Sequence, residues 1–525
     1  VTRARLDRFD WGVLLALLAL AFASLTGLVL RTLLQGGTVT GGDGFLVADP
    51  MQYLNWLRQA GEHGGIANLY DLEEGPRPFV HPGLLLSGLL HRLGVGLVVA
   101  YSVWKPIAAV VLFAGTRAWA HRLLARTDDR RLAIVASLFC ASPVAAVVGW
   151  AGIGGPEGRL QMDFITGELW PGTWLWGYQF TALAVGLMPL ALLAYERGRA
   201  GGSRRMLAAA AGLGLLCAWL QPWQGVTVAF IIAAAELWFV VRRDRSFLAA
   251  AFDVTGPLAA IAAPLVYYLW LSRYDPSWEL AGQVNELPRW SLLTIVFGLL
   301  ALGLPALLAA RLPAPAFADV MVRVWVPAAL LVYVLPFGTF PFHAFQGLWL
   351  PLAVLAAAGI RARLGERSLW SPGVRGWVVA ALGLLIVPGT AYRVDHLRDA
   401  VNRGYQPFFL EDGERDALRW LDEEPEAGGV LAPVYLGLAV PAYTGRETYI
   451  GAGSWTPDFD RRLEEMERLV SGRMTPERAE RLVRASGARF LLSDCHGRAD
   501  ITATVRTFTE SPRRFGCAVV WRVRD

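Results

Sequence analysis

Two aspartates six residues apart, Asp43 and Asp49, stand in "GGDGFLVADPMQ" (41–52), just after the first long apolar run of the chain. A carboxylate fixed on a rigid element can take a proton from an attacking hydroxyl or amide. Each aspartate also has a purely structural explanation. Asp49, Pro50 and Gln52 read as a capping box with proline at the first helical position, and Asp43 reads as a turn residue among glycines. A second acidic stretch, "GGPEGRLQMDFITGELWPGTWLWG" (154–177), carries Glu157, Arg159, Asp163 and Glu168 without a paired-acid motif. Its Trp170, Trp174 and Trp176 read as an aromatic belt at a membrane interface.

The cations are few and placed at the ends of apolar runs. Lys105, the only lysine, falls in the outer half of such a run. An intramembrane lysine is costly unless it is paired or faces a cavity; beside Trp104 and ahead of Pro106 it can instead snorkel to the interface. Arg273 heads "SRYDPSWELAGQVNELPRW" (272–290), read as a loop able to order around a ligand, and His343 sits in "TFPFHAFQG" (339–347). His81 precedes Pro82 and reads as an N-cap or loop residue. "LQPWQG" (220–225) reads as a tight turn between two spans, with Gln221 and Trp223 lining whatever lies above it.

What holds these residues is a membrane protein. The 525-residue chain is 54% hydrophobic and 18% charged, with mean hydropathy +0.40. Its apolar residues form blocks of about 18–25, enough to cross ~30 Å of hydrocarbon. Eleven spans fit, at 11–30, 96–121, 132–150, 178–196, 206–220, 223–241, 247–271, 291–310, 324–338, 346–360 and 376–393. Arg3, Arg5 and Arg8 precede the first, which continues well past the signal-peptidase-like Ala21-Phe22-Ala23 and reads as an uncleaved signal anchor. With the N-terminus inside, arginine crowds the cytoplasmic segments, as at Arg122, Arg126, Arg130, Arg131, Arg197, Arg199, Arg204, Arg205, Arg242, Arg243, Arg245, Arg361 and Arg363. Outer segments hold only Arg31, Arg58, Arg77, Arg92, Arg159, Arg273 and Arg289, which fixes the orientation. An odd number of spans then puts the C-terminus outside.

The first outer loop, 31–95, contains two helices too short to span, near 49–65 and 82–93, expected to lie on the membrane. From about 395 to 525, helical patterns at 411–423, 457–471 and 476–486 alternate with the apolar strands "GVLAPV", "ARFLLSD" and "CAVVWRV", which reads as a small α/β domain. Cys140 and Cys217 read as core residues; Cys495 and Cys517 can form a disulfide if this domain is extracytoplasmic. The net charge of +5 is spread over loops and does not suggest nucleic-acid binding. No Walker A loop, Rossmann glycine fingerprint or HExxH motif occurs, so neither a nucleotide-driven pump nor a nucleotide-sugar enzyme is supported.

A signal anchor, an acidic outer loop with two surface helices, many spans and a terminal α/β domain together resemble the GT-C glycosyltransferases. This superfamily includes oligosaccharyltransferases, protein O-mannosyltransferases and bacterial aminoarabinose and arabinofuranosyl transferases. The resemblance is carried by Asp49, by "FVHPGLLLSGLLHRLG" (79–94), "LQPWQG", "FQGLWLPLAVLAAAG" (345–359) and "VPAYTGRETYIG" (440–451). It implies an α-helical polytopic membrane protein of about eleven spans, 1–394, followed by an extracytoplasmic α/β domain, 395–525. The implied reaction moves a sugar from a polyprenyl-phosphate carrier to a glycan, lipid or protein acceptor at the outer face of a bacterial plasma membrane. Asp49 would be the base, assisted by Asp43 or Asp163; Lys105, Arg273 or His343 would hold the donor phosphate. His81, Glu168, Gln221 and Trp223 would line the substrate, and a divalent cation (Mg or Mn) would accompany the acids if the oligosaccharyltransferase pattern extends here. Two other classes compete, a secondary transporter or lipid flippase and a non-catalytic envelope assembly protein. Transporters favour repeated spans and midplane charges, and neither is evident.

Overall fold

The computed structural model describes residues 5–73, 75–286, 289–335, 339–402, 407–496 and 499–525; Arg3 of the basic N-terminal cluster lies outside them. Among the described residues ten helices are long and apolar enough to cross a membrane. They are Arg8–Gln35, Leu97–Leu123, Thr127–Ala151, Gln179–Gly201, Pro222–Val241, Phe247–Tyr274, Leu292–Ala309, Phe317–Val334, Pro341–Leu364 and Pro372–Val401. The remaining expected span is the helix Arg204–Leu220, with 17 residues. At 1.5 Å per residue it is about 26 Å long. It is followed by Gln221, whose amide reaches Thr181 in the first turn of Gln179–Gly201, so it returns over nearly the full depth of that helix. The protein is an integral membrane protein.

Packing divides the chain into two compact units. The first comprises Val1–Phe22, Trp104–Leu269 and Glu286–His396. Its helices expose large apolar side chains such as Leu248, Phe252 and Trp377, as surfaces facing lipid must. The Thr127–Ala151 span is broken between Phe139 and Pro143, because proline cannot continue the hydrogen-bond ladder. Neighbours satisfy the freed backbone: Trp349 Nε1 donates to the Cys140 carbonyl at 3.0 Å, and Ala141 N donates to Leu385 O at 3.0 Å. At the arginine-bearing end of the bundle, buried acids are paired. Asp129 takes Arg361 at 2.7 Å, Glu196 takes Arg122 at 2.6 Å, and Asp10 takes Arg117 at 3.0 Å. Glu236 accepts from both Arg199 and the Tyr195 hydroxyl at 2.7 Å.

The second unit comprises Ala23–Val103, Trp270–Asn285 and Leu397–Asp525. Both expected surface helices are present, as Ala48–His63 and Pro82–Arg92. They cross at Gly61 and Gly88, where a Cβ on either would collide with the other's backbone. The first-loop segment is bound to the C-terminal region within this unit. Strand β1 (Thr38–Val39) pairs antiparallel with β2 (Phe409–Leu410), and Arg58 reaches Asp422 at 2.6 Å and the Tyr443 carbonyl at 2.9 Å. The C-terminal region folds around a four-stranded sheet of β3 (Val430–Leu431), β4 (Phe490–Ser493), β5 (Arg513–Phe515) and β6 (Ala518–Arg522), ordered β3-β4-β6-β5. Only β3–β4 is parallel. The amphipathic helices Asp412–Glu423, Phe459–Val470 and Pro476–Ser486 fall where alternation placed them, and Met466, Leu469 and Val483 join Leu491 and Trp521 in the core.

Cys495 and Cys517 are disulfide-bonded across 22 residues. Closing a loop of that length removes unfolded-state entropy worth about 3 kcal/mol. The Cys495→Ser/Cys517→Ser variant should therefore lose about 2–4 kcal/mol of protection in the C-terminal region, read as faster proteolysis of 490–525 under native conditions. Unchanged cleavage would show that the bond adds nothing to this fold.

Glu414 is fully buried in the same region, accepting from Glu411 N and Cys495 N at 2.9 Å with His496 Nε2 3.5 Å away. Burial raises its pKa, against the pull of those donors and of His496. A carboxyl whose folded pKa is raised favours the native state most when protonated. That contribution is complete below the ordinary carboxyl value near 4.3 and fades as pH rises through the raised value. Amide exchange at Leu491 and Val520, corrected for intrinsic rates, should show protection decreasing with pH above about 5 in wild type and a flatter profile in Glu414→Gln.

Candidate functional site

In the second unit, Asp49 sits at the second position of Ala48–His63, half-buried. The expected capping box is not formed. The N-cap is Val47, without a side-chain cap bond, and neither end of the buried Gln52 amide is hydrogen-bonded among the described residues. The helix starts two residues earlier than the motif suggests, so Asp49 belongs to its first turn, where the helix dipole favours negative charge. Its charge is felt by the buried hydroxyls of Tyr53 and Tyr70, whose pKa values are raised first by burial and then by Asp49. Asp43 is also no solvated turn residue. It is 1% exposed and accepts from Ser24 Oγ at 2.5 Å, with Gly41 and Gly44 on either side at φ 80° and 92°, a region that side chains rarely enter.

His81 is the N-cap of Pro82–Arg92, its Nδ1 accepting from Leu84 N at 3.3 Å. Arg273 is exposed in the last turn of Phe247–Tyr274. The segment after it is not an open loop: Asp275 accepts from Ser277 N and Trp278 N at 3.0 and 3.1 Å and caps the helix Pro276–Val284. Trp278 joins Trp56, Phe79 and Trp455 around a cleft of about 230 Å³ that Asn68 and Asp275 also line.

In the first unit the second acidic stretch is helical, as Gly155–Leu169 and Pro171–Leu175. The aromatic belt is not observed. Trp170, Trp174 and Trp176 are each at most 2% exposed, because the Trp174 and Trp176 indoles turn inward to donate to Glu168 O and Leu20 O. Lys105 does not snorkel either; it is 1% exposed and its Nζ donates to Leu175 O at 2.7 Å.

Asp163 and Glu168, both on Gly155–Leu169, have different partners. Asp163 accepts from the Tyr392 hydroxyl at 3.0 Å and lies 3.7 Å from His396, 3.8 Å from Arg159 and 3.9 Å from Arg393. Arg393, itself buried, also donates to Asp163 O at 2.6 Å and to Thr166 Oγ1. Glu168 Oε2 accepts from Gln346 Nε2 at 2.6 Å and lies 3.1 Å from His343 Nδ1. Gln346 Oε1 in turn accepts from Gln221 Nε2 at 3.1 Å, and Trp223 meets the His343 ring edge-on at 4.7 Å. Glu168, Gln221, Trp223 and His343, four residues singled out from the sequence, thus meet in one network. Gln224, the second glutamine of "QPWQG" and read with Gln221 as lining that turn, donates its Nε2 to His343 O at 2.7 Å. Gln346 completes the network and was missed; its only signal was a polar residue at the mouth of an apolar run, in "FQGLW". Tyr392, Arg393 and His396 were missed because they lie inside a span.

No family model matches the chain, and no curated protein matches it. Solved structures do. The Archaeoglobus fulgidus oligosaccharyltransferase AglB, in complex with an inhibitory peptide and a dolichol-phosphate, is 12% identical over 93% of this chain and 69% of its own, with TM-score 0.51. ArnT from Cupriavidus metallidurans, bound to undecaprenyl phosphate, is 12% identical over 95% of this chain and 97% of its own, with TM-score 0.53. The mycobacterial arabinofuranosyltransferase AftD is 17% identical over 99% of this chain, which spans 42% of AftD, with TM-score 0.58. The chain has the GT-C fold. A further structure of the Archaeoglobus enzyme contains Zn and sulfate. Among the described residues no three His, Cys, Asp or Glu side chains converge to hold a metal ion such as the Mg or Mn that the resemblance implies.

The Asp163 cluster yields a direct test. Removing one partner of a buried ion pair typically costs about 3–5 kcal/mol, since the other charge is left uncompensated. Arg393→Leu should lower thermal stability in detergent by that order, and adding Asp163→Asn should restore part of it. Single variants that melt with wild type would show that the cluster does not hold the fold.

Proposed function

We propose that this protein is an integral membrane glycosyltransferase that takes a sugar from a polyprenyl-phosphate carrier. The observation that carries this reading is the correspondence of 95% of the chain with 97% of ArnT, a protein solved with undecaprenyl phosphate. AglB, solved with a dolichol-phosphate, supports the same class of donor. In this reading the acceptor hydroxyl or amide attacks the anomeric carbon and gives its proton to Asp49. A bond forms from acceptor to sugar, the bond from sugar to phosphate breaks, and the carrier phosphate leaves with the electron pair, inverting the anomeric centre.

The half-buried carboxylate of Asp49, at the start of a rigid helix, suits the base. Buried Asp43, fixed by Ser24, suits a supporting role behind it. Arg273, exposed at the end of its helix, suits the departing phosphate, with Lys105 as the alternative cation. Saturated by cations, Asp163 suits structural support better than proton transfer. The C-terminal region, 395–525, would recognise the acceptor, and its disulfide supports an oxidising, extracytoplasmic location.

Purified protein in nanodiscs, given a panel of radiolabelled polyprenyl-phosphate sugars and membrane acceptors, tests the reaction. Asp49→Asn, compared at equal thermal stability, should lose about 10²–10⁴-fold of transfer, as removal of a general base does. Equal turnover would remove Asp49 from the chemistry, and no turnover of any donor by wild type would overturn the glycosyltransferase reading.

A further inference from the structure

The network around Glu168 points to a ligand that donates hydrogen bonds. His343 Nδ1 faces both the Glu168 carboxylate and the Gln346 amide nitrogen at 3.1 Å, which leaves its Nε2. Gln221 spends its Nε2 on Gln346 Oε1 and Thr181 Oγ1 at 3.1 and 3.2 Å, which leaves its Oε1. Glu168 uses Oε2 for both Gln346 and His343, which leaves Oε1. Among the described residues these three atoms have no hydrogen-bond partner, and none is sealed from solvent: the Glu168 and His343 side chains are 13% and 23% exposed. Beside them Trp223 is half-buried, with its ring at 85° to that of His343. Two of the open atoms, Glu168 Oε1 and Gln221 Oε1, are acceptors, and one belongs to a carboxylate.

An anion is poorly suited to such a set. A phosphate offers only acceptors at neutral pH and would face Glu168 at close range, which argues against the donor-phosphate role expected for His343. A sugar ring has the complementary chemistry. Its hydroxyls donate to the carboxylate and the amide oxygen and pair with the imidazole nitrogen as donor or acceptor, and its apolar C–H face covers an indole, as small-molecule sites combine an aromatic wall with a few placed polar groups. Resting on the glycosyltransferase reading above, we propose that Glu168, Gln221, His343 and Trp223 form a subsite for a sugar ring, read through its hydroxyl groups. The ring comes from the lipid-linked donor or from a glycan acceptor, sources that share this chemistry.

The test is binding to wild type and to Trp223→Ala, Glu168→Gln and Trp223→Phe in nanodiscs. The probes are bare polyprenyl phosphate, polyprenyl-phosphate monosaccharides (glucose, mannose, galactose and arabinose) and short oligosaccharides. Wild type should bind a sugar-loaded carrier or an oligosaccharide about tenfold or more above the bare carrier, the weight of one hydrogen bond to a charged group. Trp223→Ala and Glu168→Gln should each abolish that margin and leave bare-carrier affinity unchanged, while Trp223→Phe, which keeps an aromatic face, should retain most of it. Loss confined to the loaded carriers assigns the donor sugar, and loss confined to oligosaccharides assigns the acceptor. The subsite is overturned if the variants keep the margin, if wild type shows none, or if bare carrier weakens equally, as a phosphate site requires. Wild type that binds no carrier and no glycan would remove the glycosyltransferase reading itself, and the subsite with it. Thermal melting of each variant separates these results from misfolding.

Discussion

Within the helical unit, a charge out of reach of water must find a partner in protein, and that constraint organises the bundle. Asp10, Asp129, Glu196 and Glu236 are all buried, and each is met by arginine. Such pairs return little net stability, because desolvation offsets most of the attraction. What they do strongly is penalise misalignment, since sliding one helix by a turn would leave two buried charges unmatched. Arg122 and Glu196 bring the end of Trp104–Leu123 beside the end of Gln179–Gly201; Arg361 and Asp129 do the same for Trp349–Leu364 and Thr127–Phe139. With one end held in register, the opposite ends are brought to a common level, and there Glu168, Gln221, Trp223 and His343 meet.

Lipid makes the spans legible. An apolar solvent demands long apolar runs, so hydropathy alone places the helices to within a few residues, including Arg204–Leu220, which is short yet returns to the level of Thr181. The C-terminal elements are legible for a different reason. Helices such as Phe459–Val470 bury one face and solvate the other, so their period is written in the sequence. Irregular segments between spans are the least legible. "GELWPGTWLWG" has the tryptophans of an interface, but whether an indole turns to lipid headgroups or to Leu20 O depends on what lies across from it. Lys105 poses the same problem, since its partner, Leu175 O, is a backbone atom that no residue pattern announces.

The candidate site was legible as residue types and not as geometry. Glu168, Gln221 and His343 come from separate helices, and nothing local links them; only the shared trait of a polar side chain at the mouth of an apolar run drew attention to each. The capping box at Asp49 failed in the opposite way, with a correct local pattern and a helix start shifted by two residues. Helix starts are decided by which residue first enters helical geometry, and here Val47 already has it, at φ −61° and ψ −21°. Asp49 thereby lies within the first turn instead of at the N-cap.

The contrast between Asp163 and Glu168 shows why partners, more than position, separate a structural acid from a functional one. They lie five residues apart on one helix. Asp163 accepts from the Tyr392 hydroxyl and is flanked by Arg159, Arg393 and His396, so cations compensate its charge. Glu168 is held by an amide and an imidazole, which orient it and leave one oxygen open. A carboxylate held in that way keeps its affinity for an incoming hydroxyl and has lost its freedom to rotate. Pre-organised acceptors of this kind discriminate well, because a ligand lacking the matching donor leaves a desolvated oxygen unpaired.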